Sequence, residues 1–227
     1  MARIAEHERW LDDPNRGQRL VLRDADLHGI DLHGRSLQES EFAGCGMRDA
    51  DLSGAKLDRA VLTEVVLDGA VLTGASLFEA RLRSCSLQRA ELTQVDGRAT
   101  RLNQCDLSDA RLSGGAFVKA DLIASTLDRA SFSHSDLVRV SFLDNRMRRL
   151  RMDDVVLSHC LFGGCDLRGA TFTGAALESV AINRCQVYRV RLTPDQAREL
   201  RATSNDFSEA GDASAIRDGA LGFAQGD

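Results

Sequence analysis

The strongest constraint in this chain is a period of five. Every position whose number ends in 2 or 7, from Leu22 to Leu192, is apolar except Gly97, which makes 34 of 35 positions in one unbroken register. The residue two places earlier is mostly small, as at Ala25, Ala50, Ala55, Ala60, Ala70 and onward to Ala175. A helix repeats every ~3.6 residues and a strand every ~2, so neither alone produces a strict five. A chain that buries one large and one small side chain and then turns closes a ring after four such steps. Coils of twenty residues then stack.

Columns twenty residues apart share their character, which supports the stacking. Gly34, Gly54, Gly74, Gly114 and Gly174 align at one corner, where a left-handed backbone suits glycine. The column before them is rich in hydroxyls, including Ser53, Thr73, Thr93 and Ser113. Cys45, Cys85, Cys105, Cys165 and Cys185 form a third. Runs such as Ala50-Asp51-Leu52-Ser53-Gly54, Ala120-Asp121-Leu122 and Cys165-Asp166-Leu167-Arg168-Gly169-Ala170 resemble the pentapeptide repeat family over about three quarters of the chain. The resemblance implies an all-β fold, a right-handed quadrilateral parallel β-helix (β-solenoid). The repeat count gives about nine coils. At ~4.8 Å per stacked strand the rod is roughly 42 Å long.

A solenoid exposes core and unpaired backbone at both ends, so each end needs a cover. The sequence divides into an N-terminal cap at 1–19, repeats at 20–192, a C-terminal capping helix at 193–201 and a mobile tail at 202–227. Ile4, Trp10 and Leu11 are spaced for one face of a first helix, with Leu20 and Ile30 beneath it. Thr193, Pro194 and Gln196 make a capping-box start for the second. That helix offers little apolar cover, so Ile182, Val187, Leu192 and Leu200 are expected to pair with a second copy, giving a homodimer joined through its C-terminal ends, as related family members do. The rival is a lid formed by Phe207, Ile216, Leu221 and Phe223 of the tail.

Composition narrows the function. There are 29 basic and 34 acidic residues, a net of −5, which argues against direct nucleic-acid binding. No apolar run is long enough to span a membrane, and the first twenty residues lack a signal peptide's pattern, so the expectation is cytoplasmic. All six cysteines, Cys160 included, take the small inward phase and read as small apolar residues, not as metal ligands or disulfides. The histidines His28, His33, His134 and His159 fall in outward turns and His7 in the cap, none with a nucleophile beside it. No catalytic residue, cofactor or metal is expected.

Outward positions carry what remains. Arg146, Arg148, Arg149 and Arg151 cluster in one coil where Asn145 and Leu150 replace small residues and Met147 and Met152 replace leucine. Cross-strand pairing is expected for Arg148 with Asp128 and Arg146 with Asp166, leaving Arg149 and Arg151 without partners. Val118 below Val138 and Ile123 below Leu143 are expected to form one contiguous apolar patch. Val95 to Ala99, around Gly97, is expected to bulge, with Phe117 leaning into the gap.

Two functions fit. The family resemblance implies binding to a bacterial type II topoisomerase, DNA gyrase or topoisomerase IV, by a rod that mimics duplex DNA and protects against topoisomerase-directed antibiotics or toxins. Asp31, Asp51 and Glu91 would be its acidic strip, interrupted by Val71. Charge counts against it: ~42 Å of duplex holds roughly 25 negative charges, whereas residues 20–192 carry 23 acidic and 22 basic residues. The alternative is a rigid protein-protein interaction adaptor that holds its partner through the arginine cluster and the apolar patch.

Overall fold

The computed structural model describes residues 2–203. A helix, α1 (Ala2–Asp12), precedes the repeats. Strands follow at β1 (Val21–Arg23), β2 (Glu41–Ala43), β3 (Val61–Thr63), β4 (Arg81–Arg83), β5 (Arg101–Asn103), β6 (Ala116–Val118) and β7 (Asp121–Ile123). Then come β8 (Asp136–Val138), β9 (Ser141–Leu143), β10 (Val156–Ser158), β11 (Leu161–Gly163), β12 (Ala176–Glu178), β13 (Ala181–Asn183), α2 (Pro194–Glu199) and β14 (Arg201–Thr203).

All pairing is parallel with a register of twenty residues, so the chain is a four-sided solenoid. Side one is a ten-stranded sheet, β1-β2-β3-β4-β5-β7-β9-β11-β13-β14. Sides two and three are ladders of single bridges, such as Asp26↔Gly46 and Asp31↔Asp51. Side four begins the same way, with Ser36↔Lys56, and becomes the four-stranded sheet β6-β8-β10-β12 from Ala116 onward.

The five-residue period works by alternation and a turn. Residues of the 2 and 7 phase point inward and those of the 0 and 5 phase fill the corners: Leu92, Leu112, Leu122 and Phe142 are each at most 2% exposed. The turn residue of the 4 and 9 phase, just before each corner, is left-handed whether or not it is glycine, with φ of 56 at Arg149 and 69 at Gly174. That conformation costs an L-residue roughly 1–2 kcal/mol, and it is held by bonds to the next coil, such as Arg149 N–H to the Arg168 carbonyl at 2.9 Å.

No bulge forms at Gly97. The ladder Ser76↔Asp96↔Ala116 is continuous, because the Phe117 ring occupies the space a side chain at Gly97 would need. A Cβ there would lie 2.4 Å from two ring carbons, and one at Gly115 would lie 2.8 Å from a third. Phe117 opens an aromatic column through Phe132, Phe142, Phe162 and Phe172, with ring centroids 4.7 to 6.1 Å apart.

The cysteines do more than fill space. Each follows a strand of side one or four, and each thiol donates to the carbonyl of the large residue 23 positions earlier, as Cys45 does to Leu22 at 3.5 Å and Cys160 to Leu137 at 3.2 Å. Asn145 fits the same column: its amide nitrogen donates to the Leu122 carbonyl at 2.7 Å and its oxygen accepts from Ser125 N–H at 2.8 Å. The departure from a small residue is therefore a satisfied buried polar link.

Both covers differ from the sequence expectation. In α1 the buried residues are Ile4 and His7, while Trp10 and Leu11 are half-buried. At the other end α2 stops at Glu199, Leu200 is extended, and β14 adds one more rung to side one across the expected start of the tail. The remainder of the tail, including Phe207, Ile216, Leu221 and Phe223, lies outside the described residues. Ile182, Val187 and Leu200 are 3%, 6% and 6% exposed within one chain. Within one chain α2 and β14 already lie over most of the end expected to carry a C-terminal dimer contact, and of that set Leu192 is half-buried.

Candidate functional site

The inward phases are occupied by packing, so recognition falls to the outward residues. The arginine cluster and the apolar residues do not share a surface. Arg146 and Arg148 lie on side two, Arg149 on the corner after it and Arg151 on side three, whereas Val118 and Val138 lie on side four and Ile123 and Leu143 on side one. Those two groups occupy diagonally opposite edges of the rod. No single flat partner contacts both.

Most of the arginine cluster is spent on neighbours. Arg146 pairs with Asp128 at 2.9 Å and Arg148 with Asp166 at 2.5 Å, the reverse of the expected assignment. Their side chains cross the ladder diagonally, while Arg148 reaches Asp128 only through its backbone N–H, at 3.0 Å. Arg168 also bonds Asp166, at 2.8 Å. Burial raises the Asp166 pKa, but the bonds from Arg168 and Arg148 outweigh it and bring it to about 2. Arg151, expected to be free, pairs with Asp153 at 3.3 Å, a neighbour two positions along the same strand phase. Arg149 has no ion pair among the described residues.

The acidic strip is short. Asp31 and Asp51 are ladder neighbours on side three, Val71 separates them from Glu91, and Glu91 is tied to Arg111 at 3.1 Å. Hydrogen bonds from the Ser53 hydroxyl and N–H hold the Asp51 carboxyl below the ordinary range. The rod therefore presents two adjacent carboxylates here, each hydrogen-bonded within its own turn and neither in an ion pair among the described residues, not a charged edge.

The four expected apolar residues do not form one contiguous patch: the charged edge at Lys119 and Arg139, with Asp121 and Ser141 beside it, separates Val118 and Val138 from Ile123 and Leu143. Val118, Val138, Ile123 and Leu143 are half-buried because each stacks on its ladder neighbour, and Leu143 leans over Gly163, where a Cβ would meet it at 3.0 Å. Leu161 lies on side one in the neighbouring column, between Ser141 and Ala181. On side four Val156 is 45% exposed, the one large apolar residue so open among the described residues. Lys119, Arg139 and His159 stand exposed on the edge between the two faces.

Sequence reasoning missed a second surface at the other end of the rod. A groove of about 750 Å³ is lined by Trp10, Arg19, Arg59, Val61, Arg81 and Arg101, with Glu39 and Glu79 on its wall. Its signal was the run of arginines twenty apart, Arg81 and Arg101, which no acidic residue separates. Among the described residues no group of three potential metal ligands comes together, and no helix is long and apolar enough to cross a membrane.

A parallel solenoid with a filled interior and patterned faces defines the class. The chain belongs to the pentapeptide repeat family: one family model, described as a pentapeptide repeat region, matches residues 35–112, and a second, described as pentapeptide repeats (8 copies), matches 105–144 and 151–185. No curated protein matches. Among solved structures it is similar to full-length QnrB1, a plasmid-mediated fluoroquinolone resistance protein, at 14% identity over 88% of this chain and 96% of that one, with a TM-score of 0.40. It is also similar to the pentapeptide repeat protein Rfr23 from the cyanobacterium Cyanothece 51142, at 12% identity over 78% and 93%, with a TM-score of 0.25.

Proposed function

We propose that this protein is a non-catalytic binding rod whose C-terminal half holds a protein partner. The observation that carries the reading is the run of outward apolar residues on side four, Val118 stacked on Val138 with Val156 as its diagonal neighbour in the next coil, flanked across the charged edge by Ile123 stacked on Leu143 on side one. Elsewhere the faces are laced with charge. Contiguous outward apolar residues rimmed by polar ones mark protein contact surfaces. A photocrosslinking residue at position 156 is expected to give protein adducts in cells of the source organism, and one at Ser113 on side three to give none. Equal labelling from both positions removes this reading.

Within that class, the partner that family resemblance suggests is a bacterial type II topoisomerase. The paired Asp31 and Asp51, one rung or about 5 Å apart, are the local feature that favours it, since they set two negative charges side by side on one face. Gyrase supercoiling with and without a topoisomerase poison tests it. An effect that Asp31→Asn with Asp51→Asn abolishes supports mimicry at this strip. No effect in either arm rejects the topoisomerase and leaves the binding rod.

A further inference from the structure

We infer that the groove at the N-terminal end of sides four and one binds an acidic, partly apolar segment of a partner protein. The inference rests on the protein-binding reading above and names the chemistry of what a second surface takes.

The register makes the case. Pairing of β4 with β5 sets Arg81 directly beside Arg101, and Arg83 beside Asn103. All three arginines are exposed. Like charges on directly opposed positions destabilise a ladder, and nothing on this face relieves them fully. Arg101 reaches Asp121 only at 3.7 Å, and Arg81 and Arg83 have no ion pair among the described residues. Folding alone gives no reason to keep that repulsion. At the Arg129 corner, by contrast, the guanidinium lies beside an acid of the adjacent coil, Asp109, at 2.6 Å.

The surroundings choose the ligand. Trp10, stacked on the His7 ring at 5.6 Å, and Val61 give the groove an apolar part. Arg19 lies beside them, its Nε donating to the Glu39 carbonyl at 2.5 Å. The cationic patch spans two rungs, about 5 Å from one Cα to the next, and Glu39, Glu79 and Asp121 bound it. A duplex running along the rod would meet those carboxylates and the net negative charge beyond them. An extended segment with two or three carboxylates and one apolar side chain fits within the bounds, its carboxylates bonding the guanidinium forks and its apolar group resting against Trp10.

The test uses fluorescence anisotropy on the full chain with a short labelled glutamate-rich peptide carrying one central leucine, its glutamine counterpart, and a labelled DNA duplex. The glutamate peptide is expected to bind, the glutamine peptide not to, and Arg81→Gln with Arg101→Gln to weaken binding at least about tenfold. The same double variant is expected to melt at an equal or higher temperature, because it removes a repulsion. Arg81→Gln alone gives the intermediate result if the pair proves hard to produce. Unchanged affinity in the variants, no binding of the glutamate peptide, a lowered melting temperature, or tighter binding of the duplex each overturns the proposal. Crosslinks from position 156 that persist through such a failure leave the binding-rod reading intact.

Discussion

The two ends of the rod solve one problem by different means. At the C-terminal end Thr193 and Gln196 form a reciprocal capping box, at 3.2 and 2.8 Å. The Gln196 amide also donates to the Phe172 and Ala175 carbonyls at 2.6 and 2.9 Å. The Ala175 carbonyl faces the place where a backbone N–H of a further coil would have bonded it, as Ala116 N–H bonds the Val95 carbonyl at 3.0 Å, so one side chain stands in for part of the missing rung. At the N-terminal end α1 lies across the first coil and leaves Leu22, Leu27 and Ile30 half-buried. The buried polar atoms without a hydrogen-bond partner among the described residues, His7 Nε2, Arg35 Nε and Gln38 Oε1, all lie at this end. Backbone-matched polar groups close a solenoid more completely than a helix laid over it, and the N-terminal cover is the weaker of the two.

The largest test of that difference is a matched truncation. Ile182 and Leu22 occupy the same inward phase of side one, but Ile182 is 3% exposed and Leu22 half-buried. Ile182→Ala is expected to cost about 2–5 kcal/mol and Leu22→Ala less than about half as much, measured by urea unfolding. Equal costs would mean that the ends are equally closed.

Next is Gln196→Ala. It strands the Ala175 carbonyl and the Thr193 N–H and takes a second donor from the Phe172 carbonyl, which keeps the Ala175 N–H at 3.1 Å, for an expected loss of roughly 2–3 kcal/mol. Gln196→Glu separates the roles, since a carboxylate can still accept from Thr193 N–H but cannot donate to Phe172. It is expected to lose nearly as much as alanine.

A pH dependence sharpens the other end. His7 Nδ1 accepts from the Leu20 N–H at 3.0 Å and must be unprotonated to do so. Burial lowers the His7 pKa, and Arg19 adds to it, against the Gln38 carbonyl and the carboxylates of Glu8 and Glu39. A histidine whose folded pKa lies below its unfolded one stabilises fully above the unfolded value, about 6.5, and loses that contribution as pH falls. The melting temperature is therefore expected to drop between pH 7 and 5.5, at up to about 1.4 kcal/mol per pH unit. His7→Gln should remove the slope. A wild-type profile flat over that range would place the histidine in solvent.

These features mark what the sequence could and could not show. The inward phases were legible because a single period governs them, and the C-terminal capping box because its residues are local. His7 was not, since its partner lies thirteen positions away across the cap. Asn145 looked like a broken rule because both its bonds run to backbone groups of the preceding coil, at Leu122 and Ser125, some twenty positions back in sequence. The arginine pairings came out reversed because a column predicts which strands are neighbours and not which way a long side chain leans. The surface was legible as residues but not as edges: only the four-sided closure separates Arg146 from Val138. Arg35 was overlooked in a phase reserved for small side chains.

Arg35 gives the last and smallest test. Its guanidinium reaches Glu8 on α1 at 3.0 Å, both side chains about one third exposed, and Glu8 also accepts from Ser36 N–H at 3.4 Å. This pair holds the helix to the first coil. At the far end Arg198 and Asp195 lie 2.6 Å apart on α2, 63% and 83% exposed, and join nothing but neighbours on one helix. Distance alone would rank the second pair higher. Solvent reverses the order, because an exposed pair is screened and gives back most of its attraction as side-chain entropy. Glu8→Gln is expected to cost about 1 kcal/mol, since it leaves a partly buried charge without its carboxylate, and Asp195→Asn less than about 0.5 kcal/mol. The difference between these ion pairs should also shrink in high salt far less at Glu8 than at Asp195. A larger loss at Asp195 would mean that α2 is held by charge, and the hydrogen-bonded closure assigned to Gln196 would then be wrong.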